Sequence, residues 1–483
     1  MYSSRRSRSW LGGAGAGLVL VAATSFGVSA ATGEMPAGPV EVPIEAPGGT
    51  PADVPVPVEV SYQSGASKTA VAAAVKEPLR ASALGPSARY IVFDPATGLD
   101  LASRGATTPV TPASTTKILT AVAALRAFGP DGRIATTVTQ PEPGSLVLVG
   151  RGDPLLRVDG AAGDGATLGD LAARTVAELR AQHPAGTPEV RLSYDDSLFV
   201  GPTRSPTWEG SYTSASTALV PPITALMANR GFIGGDVDPV PAVESARAFA
   251  AKLRTAGIKV KSKITRVSGI DSAAPAVPGE VEPAPIRAAP VAQVFSPPMD
   301  EIVGQMLRTS DNVTAEMLGH LAGGALGHTY SFAGGAAATR QVLETFGVPT
   351  AGLVLEDASG LSRANLIPPE TLARTLSVAL TEERVQLWPL MSGLPVAGFD
   401  GTLADRFSTT STRGGRGYVR AKTGTLTGVS ALAGTVVTRD GITLAFAFLA
   451  GQVRDTTAAA AAWDRVAAAL AGCDCSLTST GGS

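Results

Sequence analysis

The sequence predicts an α+β fold in which one sheet is split by an inserted α/β domain, and three observations carry that reading. Strand signals stand at both ends of the ordered chain. Tyr90-Ile91-Val92-Phe93 runs into the turn Asp94-Pro95-Ala96-Thr97-Gly98, and Thr-, Val- and Leu-rich runs return at 418–434, 435–438 and 442–449 around a turn at Arg439-Asp440-Gly441. Helical spacing of apolar residues dominates from 299 to about 381, and an alanine-rich helix at 456–470 would close over the returning sheet. Between these halves, strands and helices alternate from 146 to 265.

The elements follow in order. The segment 111–126 reads as a helix entered through Thr111-Pro112, with Ile118, Leu119, Val122 and Leu125 as its apolar stripe. The insert holds a strand at Leu146-Val147-Leu148-Val149, an amphipathic helix at 168–182, a strand at 190–194, a helix at 242–256 and a strand at 259–265. It ends in a stretch with Pro275, Pro278, Pro283, Pro285 and Pro290. The expected division is 81–134 and 291–472 for the split domain, 135–290 for the insert and 473–483 for a tail.

Upstream, Arg5, Arg6 and Arg8 precede an uncharged apolar stretch at 10–31. Val28-Ser29-Ala30 offers the small residues of a signal-peptide cleavage site, and the stretch also has the length of an uncleaved membrane anchor; both readings stand. Residues 32–80 are expected to form a linker, crowded at Pro36, Pro39, Pro43, Pro47, Pro51, Pro55 and Pro57, with order resuming near Ala81.

Composition narrows the function. The 39 basic and 41 acidic residues give no basic footprint for nucleic acid. His183, His320 and His328 are far apart and lack partner ligands, so neither a metal nor another cofactor is expected. Cys473 and Cys475 flank a single residue; export permits a disulfide, but the ring is tight, and a reduced pair or pairing with a partner are the other readings.

Three short motifs carry chemistry: Ser114-Thr115-Thr116-Lys117, Ser310-Asp311-Asn312 and Lys422-Thr423-Gly424-Thr425. A serine needs a base beside it to attack a carbonyl near neutral pH, and on a helix Lys117 stands on the face of Ser114. The helix N-terminus favours a developing alkoxide and disfavours the charged lysine. Ser310 and Asn312 supply a proton relay and a substrate-holding amide, while Asp311 fixes the turn. The third motif reads as an exposed-edge strand able to pair with an extended peptide. On it Lys422 places a fixed cation, Gly424 lets a ligand approach the backbone, and the amide of Thr425 joins that of Ser114 as an oxyanion donor. Each motif alone has a bland reading as a helix turn, cap or loop. Their joint occurrence in this order, on helix, loop and strand, does not.

The three motifs are similar to those of penicillin-binding proteins and serine β-lactamases. Further segments resemble the D-alanyl-D-alanine carboxypeptidase/endopeptidase family of low-molecular-mass class C, the peptidase S13 type. These are Gly152-Asp153-Pro154, Pro222-Ile223-Thr224-Ala225-Leu226 with Asn229, Ser296-Pro297-Pro298, Val313-Thr314-Ala315-Glu316 and Asp357-Ala358-Ser359-Gly360-Leu361-Ser362-Arg363. The chain departs from the pattern at Ala358, where glycine is common, and at Thr435, where an aromatic is usual, and its insert is shorter than in the larger members.

The resemblance implies a transpeptidase-like domain, an antiparallel sheet flanked by helices, and an extracytoplasmic, penicillin-sensitive hydrolase of peptidoglycan stem peptides. Ser114, Lys117 and Ser310 would be catalytic. Asn312, Lys422, Thr423, Gly424 and Thr425 would bind substrate, and β-lactam antibiotics would be covalent inhibitors. A serine β-lactamase of class A type needs a deacylating glutamate, and no Glu-x-x-Leu-Asn follows Asn312. A non-catalytic wall-binding protein is the other alternative, and the intact site residues speak against it.

Overall fold

The structure is a computed structural model that describes residues 65–160, 165–186, 189–213, 219–269 and 290–477. The apolar stretch at 10–31 and the proline-crowded run lie outside the described residues. Among the described residues no helix is long and apolar enough to cross a membrane.

Order begins before Ala81, which corrects the linker expectation for its last part. Helix α1 (Lys68–Lys76) is capped by Ser67, and its Val71 and Val75, four residues apart, are buried. One valine pair on a single face is enough to dock a short helix when a partner surface waits for it. Strands β1 (Arg89–Asp94) and β2 (Leu99–Arg104) form the expected hairpin, with Gly98 at φ 76° in its turn.

The expected helix at 111–126 is two pieces. A 3₁₀ turn covers Ala113–Thr116, and α2 (Lys117–Phe128) follows. Ala113 has a left-handed φ of 49°, which breaks a regular α-helical entry. The stripe Ile118, Leu119, Val122 and Leu125 is buried, as are Ala121, Ala123 and Ala124, so α2 runs through the interior.

The second sheet is built from β3 (Ala135–Glu142), β4 (Ser145–Val149), β5 (Arg191–Asp195), β8 (Thr265–Arg266) and β9 (Ala292–Phe295) in the order β8-β5-β4-β3-β9. β4, β5 and β8 are parallel, whereas β3 pairs antiparallel with β4 and β9. Helices α3 (Leu168–Gln182) and α4 (Pro241–Thr255) connect the parallel strands, burying Leu171, Leu179, Phe249 and Leu253 over Leu146, Leu148 and Leu192. A two-stranded ribbon, β6 (Phe232–Ile233) with β7 (Asp236–Val237), precedes α4. The strand expected at 259–265 is reduced to β8 and an isolated bridge from Val260 to Val190.

Helices α5 (Met299–Thr309), α6 (Asn312–Ala325), α7 (Phe332–Thr345), α8 (Pro369–Ala379) and the short α9 (Trp388–Gly393) lead back to the first sheet. The run 418–434, expected as one edge strand, is a hairpin. β10 (Val419–Leu426) turns at Gly428, φ 75°, into β11 (Val429–Val437), and β12 (Thr443–Gly451) and α10 (Thr456–Ala471) follow. The sheet order is β10-β11-β12-β1-β2, antiparallel throughout, which puts β10 at the edge.

Residue size separates the faces of this sheet. Leu432, Val436, Phe446 and Phe448 join Trp463 and Val466 of α10 in one core, while Ala431, Ala433, Ala445 and Ala447 belong to the core that contains α2 and α8. Alternation of large and small side chains thus buries both faces and lets the turn before α2 come close to the strands. The chain end is tied down: Cys473 and Cys475 are joined to each other, and Cys475 accepts the amide of Ser67 at 2.6 Å.

Candidate active site

The three motifs meet where the 3₁₀ turn, the start of α6 and β10 come together. Lys117 opens α2 and is fully buried, while Ser114, three residues earlier, is half-buried at the surface of the cleft. The Lys117 Nζ lies 3.1 Å from Ser114 Oγ, 2.8 Å from Asn312 Oδ1 and 2.7 Å from the Ser359 carbonyl. As an ammonium it donates to all three. As a neutral amine it keeps two of these bonds and offers its lone pair to the Ser114 hydroxyl. Burial lowers its pKa to about 8, against the opposing charges of Glu316, Asp357 and Asp311.

Ser310 caps the C-terminus of α5 in a left-handed conformation, φ 59°. Its neighbour Asp311 accepts the Thr314 amide at 2.8 Å as the N-cap of α6 and forms an ion pair with Arg230, so it fixes the turn as its residue type suggests. That reversal delivers Asn312 to Lys117, and the Asn312 amide nitrogen reaches the Leu219 carbonyl at 3.4 Å. The Ser310 hydroxyl is not among the partners of Lys117.

On β10 two residues of the third motif lie in the interior. Lys422 is fully buried and donates to the carbonyl of Thr423 at 2.9 Å. Burial, aided by the charge of Lys117, pushes it well below the usual lysine range, so the interior position disfavours its charged form. A Cβ on Gly424 would lie 2.6 Å from the Pro112 carbonyl and 3.3 Å from the Ala113 Cβ. Its missing side chain therefore admits the nucleophile turn. Residues 395–397 cover the outer edge of β10 around Val419–Ala421, with Ala421 donating to Pro395. Beyond them, alternation turns the backbones of Thr423 and Thr425 away from β11. The Thr423 hydroxyl bonds that of Thr402 at 2.9 Å, and the Thr425 side chain is exposed.

Sequence reasoning assigned no role to the turn 357–360 or to Glu316. The Asp357 carboxylate gathers the amides of Gly360 and Ser362, the Asn365 side chain and the Trp208 indole at 2.6–2.8 Å. The turn seats directly on α2: the Ala358 carbonyl accepts the Thr120 hydroxyl at 2.6 Å, and a Cβ on Gly360 would lie 1.9 Å from the Ala113 carbonyl. Ala358, the departure from the family pattern, points its methyl at Gly319 of α6, where a second Cβ would come within 2.5 Å. The fully buried Glu316 accepts from the amides of Ala358 and Ser359. The available signal was its position four residues after Asn312, on the same face of α6. Among the described residues no cluster of His, Cys, Asp and Glu is arranged to hold a metal. His320 is packed between Phe199 and Phe332, bonded to the Glu316 carbonyl and lowered by burial to about 4.

Comparisons with known proteins agree with the fold and the family resemblance. The family model described as D-Ala-D-Ala carboxypeptidase 3 (S13) matches residues 71–244 and 240–471. A carboxypeptidase of Mycobacterium tuberculosis is 35% identical over 370 residues, 75% of each chain. Carboxypeptidase DacB of Mycolicibacterium smegmatis is 34% identical over 397 residues, 80% of each chain. The crystal structure of penicillin binding protein 4 from Haemophilus influenzae aligns with a TM-score of 0.64 at 21% identity, covering 82% of this chain and 97% of that one, a likeness of fold. With the family model spanning nearly all of 71–471 and relatives above 30% identity over three quarters of their length, this chain belongs to the D-Ala-D-Ala carboxypeptidase 3 (S13) family.

Proposed function

We propose that the chain is a serine-type D-alanyl-D-alanine carboxypeptidase, with the related endopeptidase reaction open to the same site, and that it acts on peptidoglycan stem peptides outside the cytoplasm. The observation that carries this reading is the buried Lys117, lowered to about 8, with its Nζ 3.1 Å from the partly buried Ser114 Oγ. A base with a pKa near the working pH beside a nucleophile is what acyl transfer requires.

In the first step Lys117 takes the proton of Ser114, whose Oγ bonds to the carbonyl carbon of the penultimate D-Ala. The oxyanion is held by the amides of Ser114 and Thr425. The tetrahedral intermediate collapses with cleavage of the C–N bond, and the proton passes from Lys117 to the leaving amine, with Ser310, unbonded to Lys117 in the free enzyme, entering the relay once substrate is bound. Asn312 holds the acylated peptide, and Lys422 with Thr423 and Thr425 receives the terminal carboxylate. In the second step water attacks the ester, giving up its proton to the same base and releasing the Ser114 hydroxyl. A β-lactam, whose strained amide resembles the D-Ala-D-Ala end, would acylate Ser114 and leave slowly. The exported location rests on the N-terminal apolar stretch, as a signal or an anchor, and on the wall-directed substrate.

A fluorescent penicillin on purified wild type and Ser114→Ala tests the nucleophile, with mass spectrometry of muropeptide digests as the second arm. Labelling is expected in wild type alone; labelling that persists in Ser114→Ala would remove the assignment. Loss of one D-Ala from pentapeptides marks the carboxypeptidase, and monomers released from crosslinked dimers mark the endopeptidase.

A further inference from the structure

We propose that Glu316 is a positioning residue for Lys117, holding the 357–360 turn so that the Ser359 carbonyl faces the lysine amine. The proposal rests on the acyl-enzyme reading above and deepens it. Glu316 Oε2 accepts the Ala358 amide at 3.0 Å and Oε1 the Ser359 amide at 2.8 Å. These N–H groups belong to the 357–358 and 358–359 peptides; the next peptide carries the Ser359 carbonyl, 2.7 Å from Lys117 Nζ, and the Gly360 amide, which Asp357 accepts at 2.8 Å. A carboxylate accepting two adjacent amides fixes both of their peptides and so positions Ser359, and the Asp357–Gly360 contact sets the plane of the Ser359 carbonyl from the other side. Asn312, one turn before Glu316 on α6, supplies another acceptor to the same Nζ. One helix face thus controls two of the three contacts of Lys117, one directly and one through the turn.

Glu316 also acts on Lys117 through its charge. The titratable groups around it are Lys117 on α2, Asp357 in the turn it clamps, and Asp311 and His320 on or beside its own helix. Lys422, on β10, reaches it only through Lys117. Helix α7 packs along α6 through Gly334 and Gly335 against Gly323 and Gly319, which are uncharged. Burial, with Asp357 close by, raises the Glu316 carboxyl, the Ala358 and Ser359 amides favour its ionised form in opposition, and among the charges that favour protonated Lys117 its carboxylate is the strongest.

The experiment measures Ser114 acylation by a fluorescent penicillin in wild type, Glu316→Gln and Glu316→Asp, from about pH 5 to about pH 10, with thermal melting of each protein. In Glu316→Gln an NH₂ group faces a backbone N–H, and the Ser359 carbonyl is released. The acylation rate constant is expected to fall at least about tenfold at its optimum, the loss of one well-formed charged hydrogen bond. The acid limb of the profile should move down by about one pH unit, because Lys117 loses an opposite charge that favours its protonated form. Glu316→Asp keeps the charge but is one methylene short, so its rate constant should fall with the limb in place and the noncovalent dissociation constant unchanged.

A folded Glu316→Gln with the wild-type rate, or with a lower rate on the wild-type pH profile, would overturn the proposal, since a merely structural glutamate gives the latter. If Glu316→Gln does not fold, Glu316→Asp decides: a wild-type rate, or a loss of noncovalent affinity in place of rate, overturns it. Absence of wild-type labelling would instead refute the acyl-enzyme reading itself.

Discussion

The two walls of the cleft bury a lysine each and treat it differently. On the helical wall Lys117 has three oxygen acceptors within 3.1 Å and three acids that favour its charge, and its pKa settles at about 8. On the strand wall Lys422 has the carbonyl of its own neighbour, no carboxylate to favour its charge, and Lys117 to repel it. A buried charge is tolerated where acceptors and counter-charges are already in place, and is otherwise given up. The helical wall is therefore suited to a group that gains and loses a proton during a cycle. The strand wall is suited to one whose charge is favoured once an anion arrives beside it, and a substrate carboxylate is such an anion.

Removing each lysine should break this contrast in opposite ways. Lys117→Met is expected to give the largest effect, a fall in the acylation rate constant of about 10²–10⁴, the range for a positioned general base. Stopped-flow acylation by a chromogenic β-lactam measures it, and a loss under tenfold would count against Lys117 as the base. Lys422→Met should instead act on binding: kcat/KM for a peptide ending in a free carboxylate falls about 10²-fold, and much less for the same peptide amidated at its end. Equal losses on both peptides would show that Lys422 does not meet the carboxylate.

Stability should separate the lysines as well. The folded pKa of Lys422 lies below its unfolded value, so between the two the unfolded chain binds more protons and stability rises with pH. Below the folded value the cost of the buried amine is at its full extent; above about pH 10.4, the ordinary lysine value, it vanishes. Lys422→Met should therefore melt higher than wild type near pH 6, with the gap narrowing toward pH 10, as followed by circular dichroism. A gap that widens with pH would reverse the sign and remove the reading.

How much of this was legible in the sequence follows from what each feature depends on. The spacing of Ser114 and Lys117, the edge position of the third motif and the helices 168–182 and 456–470 depend on local pattern, and the structure has them there. The 3₁₀ turn at Ala113–Thr116 was not legible because its left-handed entry sits against a tertiary contact, Gly360 close on the Ala113 carbonyl, which local pattern does not carry. β3, with Pro141 and a run of threonines, has no clean alternation, and β9 hides behind a proline-rich stretch. The grip of the Ser359 carbonyl on Lys117 uses a backbone atom, which no residue type encodes. Gly424 was legible as a close approach, but not as to what approaches.

That approach gives the next test. Gly424→Ala puts a methyl 2.6 Å from the Pro112 carbonyl, which belongs to the turn carrying Ser114, so one wall must move away from the other. Overpacking of this kind costs about 1–3 kcal/mol in stability. Since the displaced backbone carries the proposed nucleophile and one oxyanion donor, the acylation rate constant should fall by about 10²-fold. A variant that melts lower yet acylates normally would show that the walls need not be held this close.

The smallest expected effect concerns how the helical wall is anchored. Asp311 caps α6 through the Thr314 amide and also pairs with Arg230, whose own φ is 56° and whose side chain is 44% exposed. Asp311→Ala should cost about 1 kcal/mol through the lost cap. Arg230→Ala should cost less, because a half-exposed partner is screened by solvent and the pair is worth under about 1 kcal/mol. A double-mutant cycle by urea unfolding measures the coupling, and raising the salt concentration should shrink it. A coupling above about 2 kcal/mol that survives high salt would mean that Arg230 holds the start of α6, and with it Asn312, far more firmly than an exposed ion pair allows. The helical wall would then depend on residues beyond its own helices, a dependence that nothing in β10 shares.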